Sequence, residues 1–191
     1  MSTVRPGYQP VLMVVDVQAG VMAEAWEAPR VIANVARAVD RARAAGVPVV
    51  WVQHEAPDLP RDSAAWQWVE ALQPAEGELR IHKHFESSFE QTPLESQLAR
   101  LHATRIVLAG ASTNWCIRAT AYAALERGYD LTLLSDAHTT SSIDLALGPR
   151  IEAAGIVAEL NVVMRWLSYP GRRCGTSTVA ELDFAAPSVA G

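Results

Sequence analysis

The sequence predicts one three-layer α/β domain, with a mostly parallel central sheet covered by helices on both faces. Short continuous apolar runs recur along the chain, as in strands that are buried on both faces. Stretches with apolar residues at helical spacing lie between these runs. The stretch RIVLAGASTNWCIRATAYAALERGYDLTLL, residues 105–134, contains a complete strand–helix–strand unit whose helix stops at Gly128.

The first half of the chain supplies three strands and two helices. Apolar runs predict strands at 11–15, 47–52 and 79–83. One helix, closed by Gly46, is predicted from a shared apolar face made of Val31, Val35, Ala38, Val39 and Ala42. Thr92 is expected to cap a second helix over 93–101, which has proline at its first position. Loops are predicted at 18–29 and at 56–78, and the second loop is expected to contain one short helix.

The second half continues the alternation of strands and helices. Strands are predicted at 106–109 and 130–134, and Thr113 and Asn114 are expected to cap the helix between them. Ser141 and Ser142 are expected to cap a long helix, interrupted at Gly155, whose apolar positions are Ile143, Leu147, Ile151, Ile156, Leu160, Val163 and Leu167. A final strand within 176–184 precedes a tail rich in Pro, Ala and Gly.

Composition excludes several classes of protein. A chain of 191 residues, half of them hydrophobic, suits a single domain spanning 1–191 with a real core. The net charge of −5 and the absence of a Lys/Arg cluster argue against nucleic acid as a partner. No secretory signal pattern or membrane-spanning apolar run is present, so no membrane partner is expected. Two cysteines outside any CxxC pair suit a reducing cytoplasm.

Polar residues that end or directly follow apolar strands are the candidates for chemistry. Asp16, Lys83 and Cys116 occupy such positions, and the carboxyl ends of parallel strands meet at one edge of a sheet. Cys116 falls at a strand–turn–helix junction like a nucleophile elbow, and a helix start favours thiolate over thiol. A carboxylate accepts the thiol proton, an ammonium stabilises the thiolate, and backbone N–H groups hold an oxyanion.

Each of these residues also has a plain structural interpretation. A lone cysteine in an apolar unit is more often a small buried hydrophobe, and Asp16 is equally well a loop cap. Lys83 by itself is most simply a surface charge. From residue types alone, a catalytic group of Asp16, Lys83 and Cys116 is therefore the less favoured interpretation.

Three motifs change that balance. The motifs are VLMVVDVQ at 11–18, HKHFESSF at 82–89 and GASTNWCIRATA at 110–121. Together they resemble the isochorismatase-like cysteine hydrolase superfamily, and they follow the order of that family over about residues 10–138. The resemblance implies a Rossmann-like fold with a catalytic triad of Asp16, Lys83 and Cys116. It also implies a cis peptide before Ser112, whose N–H would form an oxyanion hole with that of Cys116.

The implied activity is cofactor-free hydrolysis of a C–N bond in a small amide, lactam or ureido compound. Asp16 would act as the base, Lys83 would stabilise the thiolate, and Cys116 would form a thioester that water then cleaves. True isochorismatases cleave a vinyl ether without a cysteine nucleophile, so Cys116 favours the amidase branch. The family also implies a homodimer or a homotetramer.

Metal is the main departure from the nicotinamidases of this superfamily. Those enzymes carry Asp-x-His after the second strand, whereas this chain has His54, Glu55 and Ala56 there. One histidine does not make a site, so no metal is predicted. His54 is then either a hydrogen-bonding wall of the substrate pocket or a loop histidine with satisfied partners.

Residues near the motifs are the candidates for substrate binding: Gln18, Trp26, His54, Phe89, Asn114 and Trp115. For the tryptophans, packing in the core or at a subunit interface is the alternative. Two other functions stay open. One is a vinyl-ether or ester hydrolase on the same scaffold, and the other is a non-catalytic binding or redox-sensing protein with an oxidisable thiol.

Overall fold

A six-stranded parallel sheet forms the centre of the protein. The computed structural model describes residues 2–185. All neighbouring strands pair in parallel, in the order β3-β2-β1-β4-β5-β6. The strands are β1 Gln9–Val15, β2 Val49–His54, β3 Leu79–Lys83, β4 Ala103–Ala111, β5 Asp130–Thr139 and β6 Cys174–Ser177.

Helices cover both faces of this sheet, as the sequence predicts. They are α1 Ala19–Met22, α2 Ala28–Ala44, α3 Leu94–Arg100, α4 Arg118–Glu126 and α5 Ala153–Trp166. A π-helical turn, Thr113–Ile117, joins β4 to α4. On one face of the sheet, the strand side chains pack against α2 and against the segment around Val179 and Leu182. On the other face, the strand side chains are covered by α3, α4 and α5. The predicted three-layer architecture is confirmed.

The apolar runs lie in strands buried on both faces. In β1, Met13 and Val15 point into the layer with α3, α4 and α5, whereas Leu12 and Val14 point toward α2. All four are fully buried. Because successive strand side chains face opposite sides, a strand covered twice must be apolar at every position. This explains why the central strands read as uninterrupted hydrophobic runs.

The strand order reverses between β1 and β4. From β1 the chain builds outward to β2 and β3, then returns to the other side of β1 for β4, β5 and β6. Such a switch point opens a crevice at the carboxyl ends of its two strands. Gly110 allows the backbones of β1 and β4 to come close together at this point. It has φ +127°, and a Cβ atom would lie 1.9 Å from the Val15 carbonyl oxygen. Only glycine fits at this position.

The predicted helix around residues 143–151 is wrong. This stretch has no helix, and Ile143 and Ile151 form an isolated antiparallel bridge instead. Pro149 is the physical reason, since proline removes a helical N–H and disfavours helix in the residue before it. The helix begins only at Ala153, whose N–H donates to the hydroxyl of Ser142 at 3.0 Å.

Three smaller predictions also need correction. The loop at 18–29 contains α1, and the start of α2 lies earlier than predicted. The stretch 56–78 forms turns without a helix, so its predicted short helix is wrong. The last strand is Cys174–Ser177 rather than a segment of 176–184, because the N–H of Val179 leaves the sheet to bond Asp136 Oδ1 at 2.9 Å. Of the tail predicted to follow Phe184, residues 186–191 lie outside the described residues.

Surface features bear on the predicted partners. Within residues 2–185, no helix has the length and apolar character needed to cross a membrane. Val162 and Trp166 on α5 expose 53% and 83% of their surface. Exposed apolar groups of this size favour an interface between subunits, but the homodimer or homotetramer stays a prediction.

Candidate active site

Three strand ends bring the predicted triad together at the switch point. Asp16 directly follows β1 in a left-handed conformation, with φ 52°, that short polar side chains tolerate. Lys83 is the last residue of β3, and Cys116 lies in the π-helical turn after β4. Because the sheet is parallel, all three fall at its carboxyl edge.

The ammonium group of Lys83 is the centre of the site. Its Nζ lies 2.7 Å from Asp16 Oδ2, 3.2 Å from Cys116 Sγ and 3.2 Å from His54 Nδ1. An ammonium has three hydrogens to donate, and these three groups accept them. The side chains of Lys83 and Asp16 are only 0% and 2% exposed, so water does not compete for the pair. The arrangement is thus a closed, charge-balanced cluster.

The ionisation of Lys83 and His54 follows from these contacts. Burial lowers the pKa of Lys83, but Asp16 and Cys116 together outweigh it and leave the pKa above its ordinary value. Lys83 is therefore an ammonium at neutral pH. Burial, and then the charge of Lys83, lower the pKa of His54. A neutral His54 ring accepts through Nδ1, as the contact with Lys83 requires.

The thiol of Cys116 corrects one expectation of the sequence. Burial, followed by the negative charge of Asp16, raises the pKa of Cys116 to about 12, although Lys83 acts in the opposite direction. The predicted preference for thiolate at a helix start is therefore outweighed. The resting site therefore holds a protonated thiol beside the Asp16–Lys83 salt bridge. Asp16 Oδ1 is buried and has no hydrogen-bond donor among the described residues, so it can receive the thiol proton.

The turn before Cys116 has an unusual backbone. The peptide bond between Ala111 and Ser112 is cis, as the motif resemblance implies. The carbonyl oxygen of Ser112 accepts from the N–H groups of Trp115 and Ile117, both at 3.1 Å. Cys116 lies between these two donors, so its own N–H sits at the tight turn beside Ser112.

The predicted capping of this turn by Thr113 and Asn114 is wrong, because their side chains bond to other elements. Thr113 Oγ1 lies 2.9 Å from His138 Nδ1, and Asn114 Oδ1 accepts from Thr140 Oγ1 at 2.7 Å. Both partners belong to the end of β5 or directly follow it. Side-chain hydrogen bonds therefore connect the turn to the end of β5.

Two predicted substrate-binding residues have structural roles instead. Gln18 is fully buried, and its Nε2 donates to the carbonyl oxygens of His54 and Trp66 at 3.0 and 2.9 Å. Its Oε1 accepts from the N–H of His54 at 2.9 Å, so no polar atom remains for a ligand. Phe89 is 7% exposed and packs on Tyr129, which precedes the amino end of β5. That is the opposite edge of the sheet from Cys116.

The other four predicted binding residues surround the edge that holds the triad. His54 contacts Lys83 directly, a role that no sequence pattern indicated. Asn114 and Trp115 precede the nucleophile, and Trp115 exposes 58% of its surface. The N–H of Trp26 donates to the carbonyl oxygen of Thr140, which places it beside the end of β5. Substrate binding by these residues stays a prediction.

The comparison with known proteins decides the family. Residues 10–147 match the isochorismatase domain, which is more than half of the chain. The protein belongs to the isochorismatase family.

Curated relatives of the chain include two that are named as a hydrolase and an amidohydrolase. A streptothricin hydrolase of Streptomyces noursei is 35% identical over 145 residues, covering 72% of this chain and 57% of that protein. A ureidoacrylate amidohydrolase of Methylobacterium radiotolerans is 29% identical over 170 residues, covering 72% of this chain and 64% of that protein. The matched part thus spans less than two thirds of these relatives.

Solved structures of the isochorismatase family share the fold. An isochorismatase of Pseudomonas putida KT2440 superposes with a TM-score of 0.82 at 26% identity and covers 93% of each chain. A cysteine hydrolase of Pseudomonas syringae pv. phaseolicola has a TM-score of 0.78 at 22% identity, covering 91% of this chain and 90% of that chain. The second likeness speaks for the fold alone.

One group of side chains in this isochorismatase-family site has the donor atoms of a metal centre. Within residues 2–185, Asp16, His54 and Cys116 place ligand atoms within 4.8 Å of one another. An oxygen, nitrogen and sulfur set of this kind suits zinc. However, the Lys83 ammonium lies within hydrogen-bond distance of an atom of each residue. A positive charge already occupies the place of a cation, so the donor set does not fit a metal while Lys83 is there.

Proposed function

We propose that the protein hydrolyses a C–N bond of a small amide, lactam or ureido compound, without a metal, through a thioester on Cys116. The observation that carries this proposal is the buried cluster in which one ammonium joins a carboxylate to a cysteine thiol. A binding scaffold gains nothing from burying such a cluster at the crevice of the sheet. The relatives named streptothricin hydrolase and ureidoacrylate amidohydrolase support a hydrolytic reaction, and the second name supports an amide-type substrate.

The first half-reaction forms the thioester. Asp16 takes the thiol proton, which leaves the negative charge briefly on Cys116 Sγ beside Lys83. As the sulfur bonds to the substrate carbonyl carbon and the C=O double bond opens, that charge passes to the carbonyl oxygen. The net charge of the site stays constant, which suits a buried site. The resulting oxyanion accepts hydrogen bonds from the N–H groups of Ser112 and Cys116. Asp16 then gives its proton to the leaving nitrogen as the C–N bond breaks.

The second half-reaction releases the acid. Asp16, ionised again, takes a proton from a water molecule that attacks the thioester carbonyl. The same N–H groups hold the second oxyanion, and the C–S bond breaks as it collapses. The sulfur leaves as a thiolate beside Lys83 and recovers a proton from Asp16. Lys83 keeps its proton throughout and serves as a fixed positive charge.

A turnover assay with matched cysteine variants tests the proposal. Wild type, Cys116→Ala and Cys174→Ala are treated with a chelator and mixed with small amides, ureides and lactams, and released ammonia or amine is measured. Cys174 is a fair control because it is a second free cysteine, buried at the start of β6. Wild type and Cys174→Ala are expected to turn over. Cys116→Ala should lose at least about a thousandfold, as nucleophile removal does.

The contrary result is equally clear. Turnover that survives in Cys116→Ala would mean that water attacks the substrate directly and that no thioester forms. Turnover that disappears from wild type on chelation would mean that a metal, and not the cluster around Lys83, activates the reaction.

A further inference from the structure

An insertion in β5 aims a buried histidine at the turn that precedes the nucleophile. Leu108 of β4 pairs with Leu133, but Gly110, two residues on, pairs with His138. Four residues of β5, 134–137, therefore lie opposite Ala109 alone. Such bulges redirect side chains and are frequent beside active sites. His138 is 1% exposed, and the mechanism above does not use it.

Three side chains form a chain of hydrogen bonds from the bulge to the turn. Asn161 of α5 donates through Nδ2 to the carbonyl oxygen of Ser135 at 3.1 Å. Its Oδ1 lies 3.1 Å from His138 Nε2. At the other side of the ring, His138 Nδ1 lies 2.9 Å from Thr113 Oγ1. Thr113 is fully buried, so this is the anchor of its hydroxyl.

The direction of each hydrogen bond follows from the chemistry. Only the amide NH₂ of Asn161 can donate to the Ser135 carbonyl, so its Oδ1 must face His138 and accept from Nε2–H. Burial lowers the pKa of His138 to about 4, which keeps the ring neutral at physiological pH. The second nitrogen, Nδ1, is therefore bare and accepts from the Thr113 hydroxyl.

We propose that His138, oriented by Asn161, is a positioning residue that holds Thr113 and, through it, the oxyanion-binding turn of Ser112 and Cys116. Thr113 directly follows Ser112 and opens the π-helical turn that carries Cys116. An oxyanion hole works only when its donors lie about 2.7–3.1 Å from the developing charge, so a small displacement of the turn is costly. The inference rests on the proposed function, since it concerns the N–H groups assigned there to the oxyanion.

Two reagents separate this positioning role from a general effect on the thiol. p-Nitrophenyl acetate acylates a cysteine through a tetrahedral intermediate: the S–C bond forms, a negative oxygen develops, and nitrophenolate leaves. Iodoacetamide alkylates the same sulfur by direct displacement of iodide and develops no oxyanion. The ratio of the two rate constants at Cys116 therefore reports the oxyanion hole and cancels changes in thiol ionisation. It requires no knowledge of the natural substrate.

The test compares Thr113→Val, which removes the hydroxyl at nearly constant shape, with Thr113→Ser, which keeps it. Thr132→Val is the matched control, because Thr132 is a buried threonine of β5 whose hydroxyl accepts from Arg105 far from the turn. Thr113→Val should lower the ratio by about 10–100-fold, somewhat less than removing an oxyanion donor outright. Thr113→Ser should restore it toward the wild-type value, and Thr132→Val should not change it.

Asn161→Ala provides a second variant should Thr113→Val fail to fold, and it should lower the ratio in the same direction. The inference is overturned by an unchanged ratio in Thr113→Val or Asn161→Ala. It is also overturned by equal losses in both reactions, which would place the effect on the thiol. Failure of the proposed function is a separate result, because it appears in wild type as absent turnover of amides while the ester still acylates Cys116.

Discussion

Asp16→Asn is predicted to change two reactivities of Cys116 in opposite directions. The substitution keeps the shape of the side chain but removes the base that accepts the thiol proton. It also removes the negative charge that, after burial, does most to raise the pKa of Cys116 to about 12. Lys83 is left as a buried ammonium without its carboxylate, and the cysteine sulfur at 3.2 Å becomes the nearest group able to carry a compensating charge.

The size of both effects can be worked out from this geometry. Loss of a general base typically slows the chemical step by about 10²–10⁴-fold, so amide turnover should fall in that range. Loss of a neighbouring like charge lowers a pKa by about 1–3, which raises the thiolate fraction about 10–1000-fold. A less basic thiolate is a weaker nucleophile, with a Brønsted coefficient of about 0.4–0.5, so alkylation should quicken by about 3–60-fold.

The assay measures iodoacetamide alkylation of Cys116 at pH 8 and amide turnover on the same preparations. Asp130→Asn is the matched control, because Asp130 is a fully buried aspartate at the amino end of β5, where Oδ1 accepts from the N–H of Arg173. It should leave both rates close to wild type once the folded fraction is accounted for. Alkylation of Asp16→Asn at or below the wild-type rate would refute the reasoning, since it would show that the carboxylate does not hold the thiol protonated.

Two further predictions follow from the same structure. Gly110→Ala should destabilise the protein by about 3–6 kcal/mol, because it combines a strained φ with a clash at the Val15 carbonyl; Gly46→Ala, with φ +66° and open space around it, should cost only about 1 kcal/mol. Urea unfolding compares the two, and equal losses would contradict the argument from close approach. Lys83→Ala should abolish turnover and gain affinity for Co²⁺ or Zn²⁺, seen as a thiolate-to-cobalt absorption band that wild type lacks; the same spectrum from both proteins would show that the ammonium does not exclude a cation.

The central fold was predictable because its strands are buried on both faces. Doubly covered strands such as β1 must be apolar at every position, and that pattern is visible in one sequence. The convergence of Asp16, Lys83 and Cys116 followed from parallel strand ends. The errors in the helix predictions lie where two sequence features favoured different structures for the same residues. Pro149 ended a helix that apolar spacing had favoured, and Ser142 bonds the start of a helix that lies beyond it in the chain.

Side-chain contacts across the sheet were beyond the sequence pattern. Gln18 follows the motif aspartate closely, yet its amide is consumed by the backbone of His54 and Trp66. The raised pKa of Cys116 depends on how completely the site is buried, which residue types near a helix start do not disclose. His138 lies four residues beyond the strand predicted at 130–134, and its contact with Thr113 requires the bulge in β5.

The most direct test of the account is mass spectrometry of the protein during turnover of an amide substrate. Rapid acid quenching, followed by proteolysis, should show the acyl portion of the substrate attached to Cys116 and to no other residue, with the leaving amine already released. The adduct should disappear as substrate is exhausted. Turnover with no adduct on Cys116 at any time, together with full activity of Cys116→Ala, would contradict the thioester mechanism.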